Sequence, residues 1–347
     1  MNGKKPTAVV VIPTYNEAKV IGKTIDYLFK KTFPEIKDWN MKILVVDDTS
    51  PDGTYKIVKE KQKEYNNLHL HLNKKKKGIG YAYVVGFRHA MKKLDADVII
   101  EFDADLQHPP ETIPIMLKEI KNGADYVLGS RKVKGGSNPR GWGLKRIFFS
   151  EVGGLTARFI LFFPSKMFFR ITDPTTGLKA SRVKGFADQI NMNNLYSYQF
   201  SYKLQFLYEM VQLGAKIKEI PLKFQLRKTG QSKITTNTIQ DTLRTVLLLR
   251  WHNSKTQSFL KFAVVGFVGF LVNSLGLEIF RRFNFVRNWA QMLGKNSLPL
   301  LQFLDGKINW RESIATAFGA EMAIISNFTW NNLWTFSHKQ IKGFAKI

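Results

Sequence analysis

Short apolar runs alternate with helical patterns along the first third of the chain. The runs are rich in β-branched residues, and they occupy residues 8–12, 42–46, 68–72, 98–102 and 126–128. The helical patterns between them cover about residues 18–29, 55–65, 81–94 and 113–121. Alternation of this kind predicts a parallel sheet with helices on both faces and right-handed crossovers. We therefore expect an α/β, Rossmann-like layer that binds a nucleotide.

Aromatic and basic residues dominate the pattern beyond residue 140. Phenylalanines are dense among lysines and arginines in residues 141–170, and a similar apolar and basic mixture fills residues 242–251. Such a composition is typical of a helix that lies in the lipid headgroup layer, with its rings buried and its charges near anionic lipid. An ordinary core helix with solvated lysines is the alternative interpretation.

Two C-terminal stretches, residues 262–280 and 314–336, approach the length that spans a membrane. The first holds 19 residues, which corresponds to roughly 28 Å of helix. Polar residues such as Asn273 and Glu321 interrupt these stretches, and they would be costly at membrane depth unless they faced another helix. We expect a transmembrane helical hairpin with its polar faces together; the alternative is a pair of buried helices in a soluble all-α domain.

The loop between the two stretches complicates the orientation of the hairpin. Residues 281–311 carry six basic residues and one acidic residue, which conflicts with the positive-inside tendency if the catalytic domain is cytoplasmic. Either the loop returns to the interface or the hairpin does not cross fully. The changes in composition along the chain predict three parts: an α/β domain at 1–235, an interfacial helix and linker at 236–257, and a transmembrane hairpin at 258–347.

The net charge of the chain indicates which kinds of partner it binds. Lysine and arginine number 53 against 27 aspartates and glutamates, giving a net charge of +26. This charge suits nucleic acid, an anionic membrane surface or a phosphate-bearing substrate. We recognise no nucleic-acid-binding motif, and the basic residues are mixed with phenylalanine clusters, so we expect membrane and phosphate partners and no nucleic acid.

Two further features bound the chemistry and the compartment. The chain has no cysteine, which excludes disulfides, thiolate metal sites and cysteine nucleophiles. The first residues lead into a strand-like run instead of a signal peptide, so we expect a catalytic domain that is not exported.

Two carboxylates follow the apolar run at residues 98–100. Asp103 and Asp105 come where the predicted strand ends, at the carboxyl edge where open α/β sheets bind ligands. Oxygen ligands from these aspartates and the Gln107 side-chain carbonyl suit Mg or Mn, ions usually shared with substrate phosphates. The alternative is a capped loop in which Asp105 starts the helix near Pro110.

Acceptor-rich turns follow the first and second predicted strands. Residues 13–17 read Pro-Thr-Tyr-Asn-Glu, and residues 47–54 read Asp-Asp-Thr-Ser-Pro-Asp-Gly-Thr. Both turns are expected at the same sheet edge as Asp103, where a base and a ribose require hydrogen-bond acceptors.

The motifs at residues 12–17, 46–54, 77–80, 103–111 and 129–131 together resemble the dolichol-phosphate mannose synthases, within the family 2 inverting glycosyltransferases. The resemblance covers about residues 7–250. It implies a GT-A fold and transfer of a hexose, mannose from GDP-mannose, to dolichyl or polyprenyl phosphate. A UDP-glucose-dependent polyprenyl-phosphate glucosyltransferase is the alternative. Residues 258–347 resemble the first helix pair of a GtrA-like membrane domain.

The resemblance also assigns expected roles to individual residues. Those matching the nucleotide-contacting motifs are Pro13, Tyr15, Glu17, Val46, Asp47, Asp48 and Lys77. Those matching the metal and donor-diphosphate site are Asp103, Ala104, Asp105 and Gln107. Those matching the positions that hold the acceptor phosphate and close over the site are Arg131, Arg146, Ser150, Arg227 and Lys233. Asp105 and Arg131 are the expected catalytic residues, and residues 172–177 resemble the family's turn beneath the acceptor site.

The implied chemistry needs no general base. A phosphate monoester has a second pKa of about 6, so a lipid phosphate is largely a dianion at neutral pH. We accordingly assign no catalytic role to any of the six histidines. The leaving nucleoside diphosphate needs a metal, the attacking phosphate needs arginines to orient it, and a single displacement inverts the sugar.

Overall fold

The computed structural model describes residues 5–139, 141–226, 236–295 and 309–337. The chain divides into two compact units, Met1–Arg250 and Trp251–Ile347.

A seven-stranded sheet forms the centre of the first unit, within the described residues. Its strands are β1 (Thr7–Thr14), β2 (Asn40–Asp47), β3 (Leu68–Leu72), β4 (Val98–Glu101), β5 (Tyr126–Ser130), β6 (Lys179–Arg182) and β7 (Ile217–Pro221). Their order is β3-β2-β1-β4-β6-β5-β7. The five strands predicted from the apolar runs are confirmed. The expected parallel pairing is confirmed for β1 to β4, but the sheet as a whole is mixed, because β6 pairs antiparallel with both β4 and β5. A strand that returns from a long excursion does not need a parallel crossover.

Helices cover both faces of the sheet and make up most of the second unit. They are α1 (Ala18–Tyr27), α2 (Thr54–Gln62), α3 (Ile79–Lys93), α4 (Thr112–Lys121), α5 (Leu144–Phe162), α6 (Met167–Arg170), α7 (Tyr202–Gln212), α8 (Thr236–Trp251), α9 (Ser254–Arg282), α10 (Asn284–Lys295) and α11 (Trp310–Trp330). Short 3-10 turns lie at Phe33–Glu35 and Ala187–Gln189, and π-helical turns lie at Leu28–Thr32 and Asn331–Thr335.

The core lies on both sides of the central strands. Val9 and Val11 of β1 pack with α3, whereas Val10 and Ile12 belong to the cluster on the opposite face. This is the alternation that a strand imposes on successive side chains. A β-carbon on Gly86 would collide with the Val11 side chain, so α3 lies very close to β1. The strand ends that carry the candidate site are therefore held by a tightly packed interior.

The aromatic segments of the first unit expose their rings. Phe148 of α5 is 60% exposed and Phe169 of α6 is 72% exposed, and α8 likewise exposes Leu243 and Leu247. An apolar surface of this kind indicates an interaction site, and it argues against the ordinary core-helix interpretation. Contact of these helices with lipid headgroups stays a prediction.

Two long antiparallel helices, α9 and α11, form a hairpin in the second unit. A β-carbon on Gly276 would lie 2.8 Å from the Gly319 α-carbon, so the backbones approach as small residues permit. Among the described helices, α9 is the one that is long and apolar enough to cross a membrane. The amphipathic α10 follows α9, and residues 296–308 of the predicted loop lie outside the described residues.

Candidate active site

The two aspartates of the predicted metal site lie in the loop after β4. Asp103 Oδ1 accepts a hydrogen bond from the Tyr83 hydroxyl at 3.1 Å, and Asp105 Oδ1 accepts one from the Gln107 amide at 3.1 Å. Leu106, between Asp105 and Gln107, adopts a left-handed conformation, with φ of 57°. Asp105 does not start the next helix, as the capped-loop alternative proposed, because α4 begins at Thr112 with Glu111 as its N-cap.

The orientation of Gln107 fits a metal ligand. Its Nε2 donates to the Gln225 carbonyl at 3.1 Å, so the Oε1 atom is directed away from that bond. Among the described residues, no group of three or more His, Cys, Asp or Glu is arranged to hold a metal. Two carboxylates and one amide oxygen are nevertheless a suitable donor set for Mg or Mn, which take their remaining ligands from water and substrate phosphate.

A buried charged layer lies beneath this loop, and sequence reasoning missed it. Glu101 is fully buried and accepts a 2.6 Å hydrogen bond from the Tyr202 hydroxyl, while burial raises the pKa of its carboxyl. Burial lowers the pKa of Lys179 to about 8. The His108 Nδ1 atom lies 3.6 Å from Asp103 Oδ2, and burial lowers the pKa of His108 to about 4. His108 is therefore neutral near pH 7 and packs against the loop that carries the aspartates, residues 103–107.

The predicted nucleotide residues divide into buried and accessible members. Val46 and Asp47 are fully buried. The Asp47 carboxylate accepts hydrogen bonds from the Thr14 hydroxyl at 2.8 Å and from the Ser50 amide and hydroxyl at 2.8 and 2.6 Å. Its position therefore gives it a structural role in joining β1 to the turn after β2.

Asp48 is also mostly buried, at the same turn. Its carboxylate accepts from the Asn73 side chain at 2.8 Å, and burial raises its pKa. Ala104 is buried too, and its carbonyl accepts from the Thr24 hydroxyl at 2.7 Å. These two hydrogen bonds fix the turn after β2 and the loop after β4 at this edge of the sheet.

The accessible members surround the end of β1. Pro13, Tyr15 and Glu17 are half-buried. Two ammonium groups stack on tyrosine rings here: Lys76 lies 3.9 Å from the Tyr15 ring centre, and Lys77 lies 4.6 Å from that of Tyr81. Cations and rings together suit a nucleoside with its phosphates.

Arg131 is held by a carboxylate from the predicted turn at residues 172–177. Its Nε and NH2 atoms donate to the two Asp173 carboxylate oxygens at 2.7 and 2.6 Å. Its NH1 atom donates to the Ser150 hydroxyl at 3.3 Å. Burial opposes ionisation of Asp173, but hydrogen bonds and charge from Arg131 outweigh it, so the pKa of Asp173 lies below its usual value.

Arg146 completes this cluster of basic groups. Its guanidinium lies 4.2 Å from the Trp142 ring centre, and burial together with the Arg131 charge lowers its pKa. The structure thus brings together three of the five predicted acceptor residues, Arg131, Arg146 and Ser150. The other two, Arg227 and Lys233, lie outside the described residues.

The Phe224 ring lies between His108, which follows the aspartate loop at residues 103–107, and the cluster of Arg131, Arg146 and Trp142. Its ring centre lies 5.1 Å from that of His108 and 5.8 Å from that of Trp142, and 6.0 Å from the Arg131 guanidinium. His108, which follows the two aspartates, and Arg131 therefore contact the same ring. The motifs did not single out Phe224, and they included Asp173 only as part of the turn at residues 172–177.

The mixed sheet with an acidic loop after β4 has the GT-A fold. A solved structure of glucosyl-3-phosphoglycerate synthase from Mycobacterium tuberculosis, in complex with Mn2+, UDP-glucose and phosphoglyceric acid, matches with a TM-score of 0.52 at 15% identity. The matched region covers 71% of this chain and 80% of the synthase chain, and the match shows that the two share a fold.

Sequence relatives identify the family. The family model "Glycosyl transferase family 2" matches residues 9–187, and the "GtrA/DPMS, transmembrane domain" model matches residues 261–346. A dolichol-phosphate mannosyltransferase of Pyrococcus furiosus is 32% identical over 94% of this chain and 80% of the relative. An undecaprenyl-phosphate mannosyltransferase of Micrococcus luteus is 31% identical over 70% of this chain and 93% of the relative. The chain belongs to glycosyl transferase family 2, which confirms the predicted fold class and enzyme class.

Proposed function

We propose that this glycosyltransferase transfers mannose from GDP-mannose to a polyprenyl phosphate such as dolichyl phosphate. The observation that carries the proposal is the proximity of Arg131, Arg146 and Ser150 to the aspartate loop across Phe224. Arginine forks match phosphate oxygens, and two carboxylates match a cation bound to a diphosphate. The relatives named as polyprenyl-phosphate and dolichol-phosphate mannosyltransferases support the sugar and the acceptor.

The residues divide the reaction between two sides of the cleft. On the donor side, Tyr15 and Lys77 would contact the nucleoside and its phosphates, and Asp103, Asp105 and Gln107 would hold Mg or Mn. When bound, that cation neutralises charge on the departing diphosphate.

On the acceptor side, the arginines hold the lipid phosphate in line with the anomeric carbon, so that one displacement inverts the sugar. The attacking phosphate is already a dianion at neutral pH. Asp173 therefore has no proton to remove, and its ion pair with Arg131 gives it an orienting role.

The membrane part suits a substrate that stays in the bilayer. The exposed rings of α5 and α6 are suited to the headgroup layer, and the GtrA/DPMS match supports anchoring through α9 and α11. We place the catalytic domain on the cytoplasmic side, where nucleotide sugars are made. Protease digestion of sealed vesicles of known orientation tests this placement.

A transfer assay on membranes that contain the full chain tests the proposed activity. Radiolabelled GDP-mannose and UDP-glucose are offered separately with one polyprenyl phosphate, with and without EDTA. The expected result is a labelled lipid from GDP-mannose alone, lost with EDTA and restored by Mg or Mn, with an inverted anomeric configuration. A labelled lipid from UDP-glucose alone would favour the glucosyltransferase alternative, and no lipid product from either donor would overturn the proposal.

A further inference from the structure

A half-buried carboxylate on the edge strand β7, that of Glu219, accepts hydrogen bonds from the turn that carries Asp173. Glu219 Oε1 accepts hydrogen bonds from the Thr172 and Asp173 amides at 2.8 and 2.9 Å. Its Oε2 atom accepts from the Thr172 hydroxyl at 2.5 Å. Three donors of one turn therefore converge on a single side chain from a different strand.

The turn so held presents Asp173 in one orientation. The Asp173 amide is fixed by Glu219, and the Asp173 carboxylate grips Arg131 through two side-chain nitrogens and the Arg131 amide. The Arg131 side chain is 9% exposed and that of Asp173 is 1% exposed, so the pair has little freedom. Of the guanidinium nitrogens, NH1 is the one directed at Ser150.

The chemistry of Glu219 argues for a specific role. Burial raises the pKa of Glu219 despite the three hydrogen bonds. Ionising a carboxyl group at this position therefore has a free-energy cost. A neutral side chain on an edge strand would avoid that cost. What a carboxylate provides is two acceptor oxygens in one plane, which match two adjacent amides and a hydroxyl.

We propose that Glu219 is a positioning residue, which acts through the turn at residues 172–175 and Asp173 to aim Arg131 at the acceptor phosphate. This inference rests on the proposed function for its consequence in catalysis. The relay from Glu219 to Arg131 is a statement about geometry, so it can be tested whether or not the acceptor is a polyprenyl phosphate.

Chemical modification of Arg131 tests the relay. The full-length protein in detergent is treated with phenylglyoxal, and the modification rate of each arginine is followed by peptide mass spectrometry. Glu219→Ala should speed modification of Arg131 about tenfold or more, with Glu219→Gln between it and the wild type, because charge-assisted bonds are lost. Arg182, bonded to Asp125, serves as an internal reference that should not change.

The matched control is Glu209→Gln. Glu209 is a partly buried carboxylate on α7 whose pKa is also raised by burial, but it accepts from Gln205 and is not bonded to the turn. Arg131 should react at the wild-type rate in this variant. Wild-type reactivity of Arg131 in both Glu219 variants would overturn the relay, and the Gln variant keeps the test valid if the Ala variant does not fold.

Steady-state kinetics tests the catalytic consequence. Glu219→Ala should raise the KM for polyprenyl phosphate by about 10- to 100-fold, while the KM for GDP-mannose changes much less. A merely structural role would instead lower activity without separating the two substrates, and that outcome would overturn the positioning role. If the wild type transfers nothing to polyprenyl phosphate, the proposed function fails, and the arginine-modification experiment still decides the relay.

Discussion

The buried ion pair between Arg131 and Asp173 allows stability and activity to be separated. The Asp173 side chain is 1% exposed, and its oxygens lie 2.6 and 2.7 Å from two Arg131 nitrogens. Arg131→Ala leaves that carboxylate buried without its cation. We expect the free energy of unfolding to fall by about 3–5 kcal/mol, the usual result of removing one member of a buried pair.

The corresponding change in Tm is large enough to measure. For a unit the size of Met1–Arg250, each kcal/mol shifts Tm by about 2–4 °C, so the expected fall is about 6–20 °C. Thermal unfolding in detergent, followed by tryptophan fluorescence, gives this quantity. Transfer to the lipid acceptor should be lost at temperatures where Arg131→Ala is still folded, with a smaller effect on donor binding.

The double variant Arg131→Ala/Asp173→Ala provides the control. Removing both charges leaves no unpaired ion, so most of the lost stability should return. Activity should not return, because no guanidinium is left at that position. A double variant no more stable than Arg131→Ala, or a single variant as stable as the wild type, would refute the buried-pair reasoning.

The pH dependence of the same pair follows from the lowered pKa of Asp173. Its stabilising contribution is complete above the unfolded pKa of about 3.9 and is lost as the pH falls through the lower folded value. The stability difference between the wild type and the double variant should therefore be constant near neutral pH and shrink only in strong acid.

Three other perturbations test separate parts of the structure. Asp105→Ala should abolish transfer and any Mn2+-induced thermal stabilisation, which is about 2.7 kcal/mol at 100 times Kd, while the circular dichroism spectrum stays unchanged; full activity would contradict the metal assignment. Burial lowers the pKa of His69 and His89, so stability should decline as pH falls from about 6.5, and His89→Asn should reduce that decline in thermal unfolding at pH 5 to 7. Gly86→Ala should cost about 1–3 kcal/mol, measured by the same unfolding assay, because the new methyl group meets Val11.

The fold could be predicted from the sequence wherever a buried strand consists of a continuous apolar run. The strands β1 to β5 have that signal, and each was found near its predicted residues. The strand β6 lacks it, because its sequence Lys-Ala-Ser-Arg reads as a surface segment. Lys179 is buried there because β6 pairs with β4 in a register that sets it opposite Glu101. A pairing between strands so far apart in sequence leaves no local trace.

The site shows the same division between local and distant information. The aspartate loop and Arg131 belong to short motifs that follow strands, so they can be recognised from the residues next to them in the sequence. Glu219 and Phe224 join the site through the pairing of β5 with β7, where Leu128 lies opposite Glu219. Asp47 stays a predicted nucleotide contact, and the structure adds what the motif did not suggest: its buried carboxylate accepts from three neighbouring donors and so stabilises the turn itself.

Under the proposed function, the ion pair with Asp173 determines how Arg131 acts on a bound phosphate. Because Asp173 already balances its charge, Arg131 contributes to a bound phosphate mainly through the direction of its NH1 hydrogens. Arg146 packs against Trp142, and among the described residues its buried Nε has no hydrogen-bond partner. Under the proposed function, Arg146 supplies attraction for the dianion, while Arg131 supplies alignment. An acceptor site that divides attraction from alignment can hold a phosphate firmly and still fix the line of attack on the sugar.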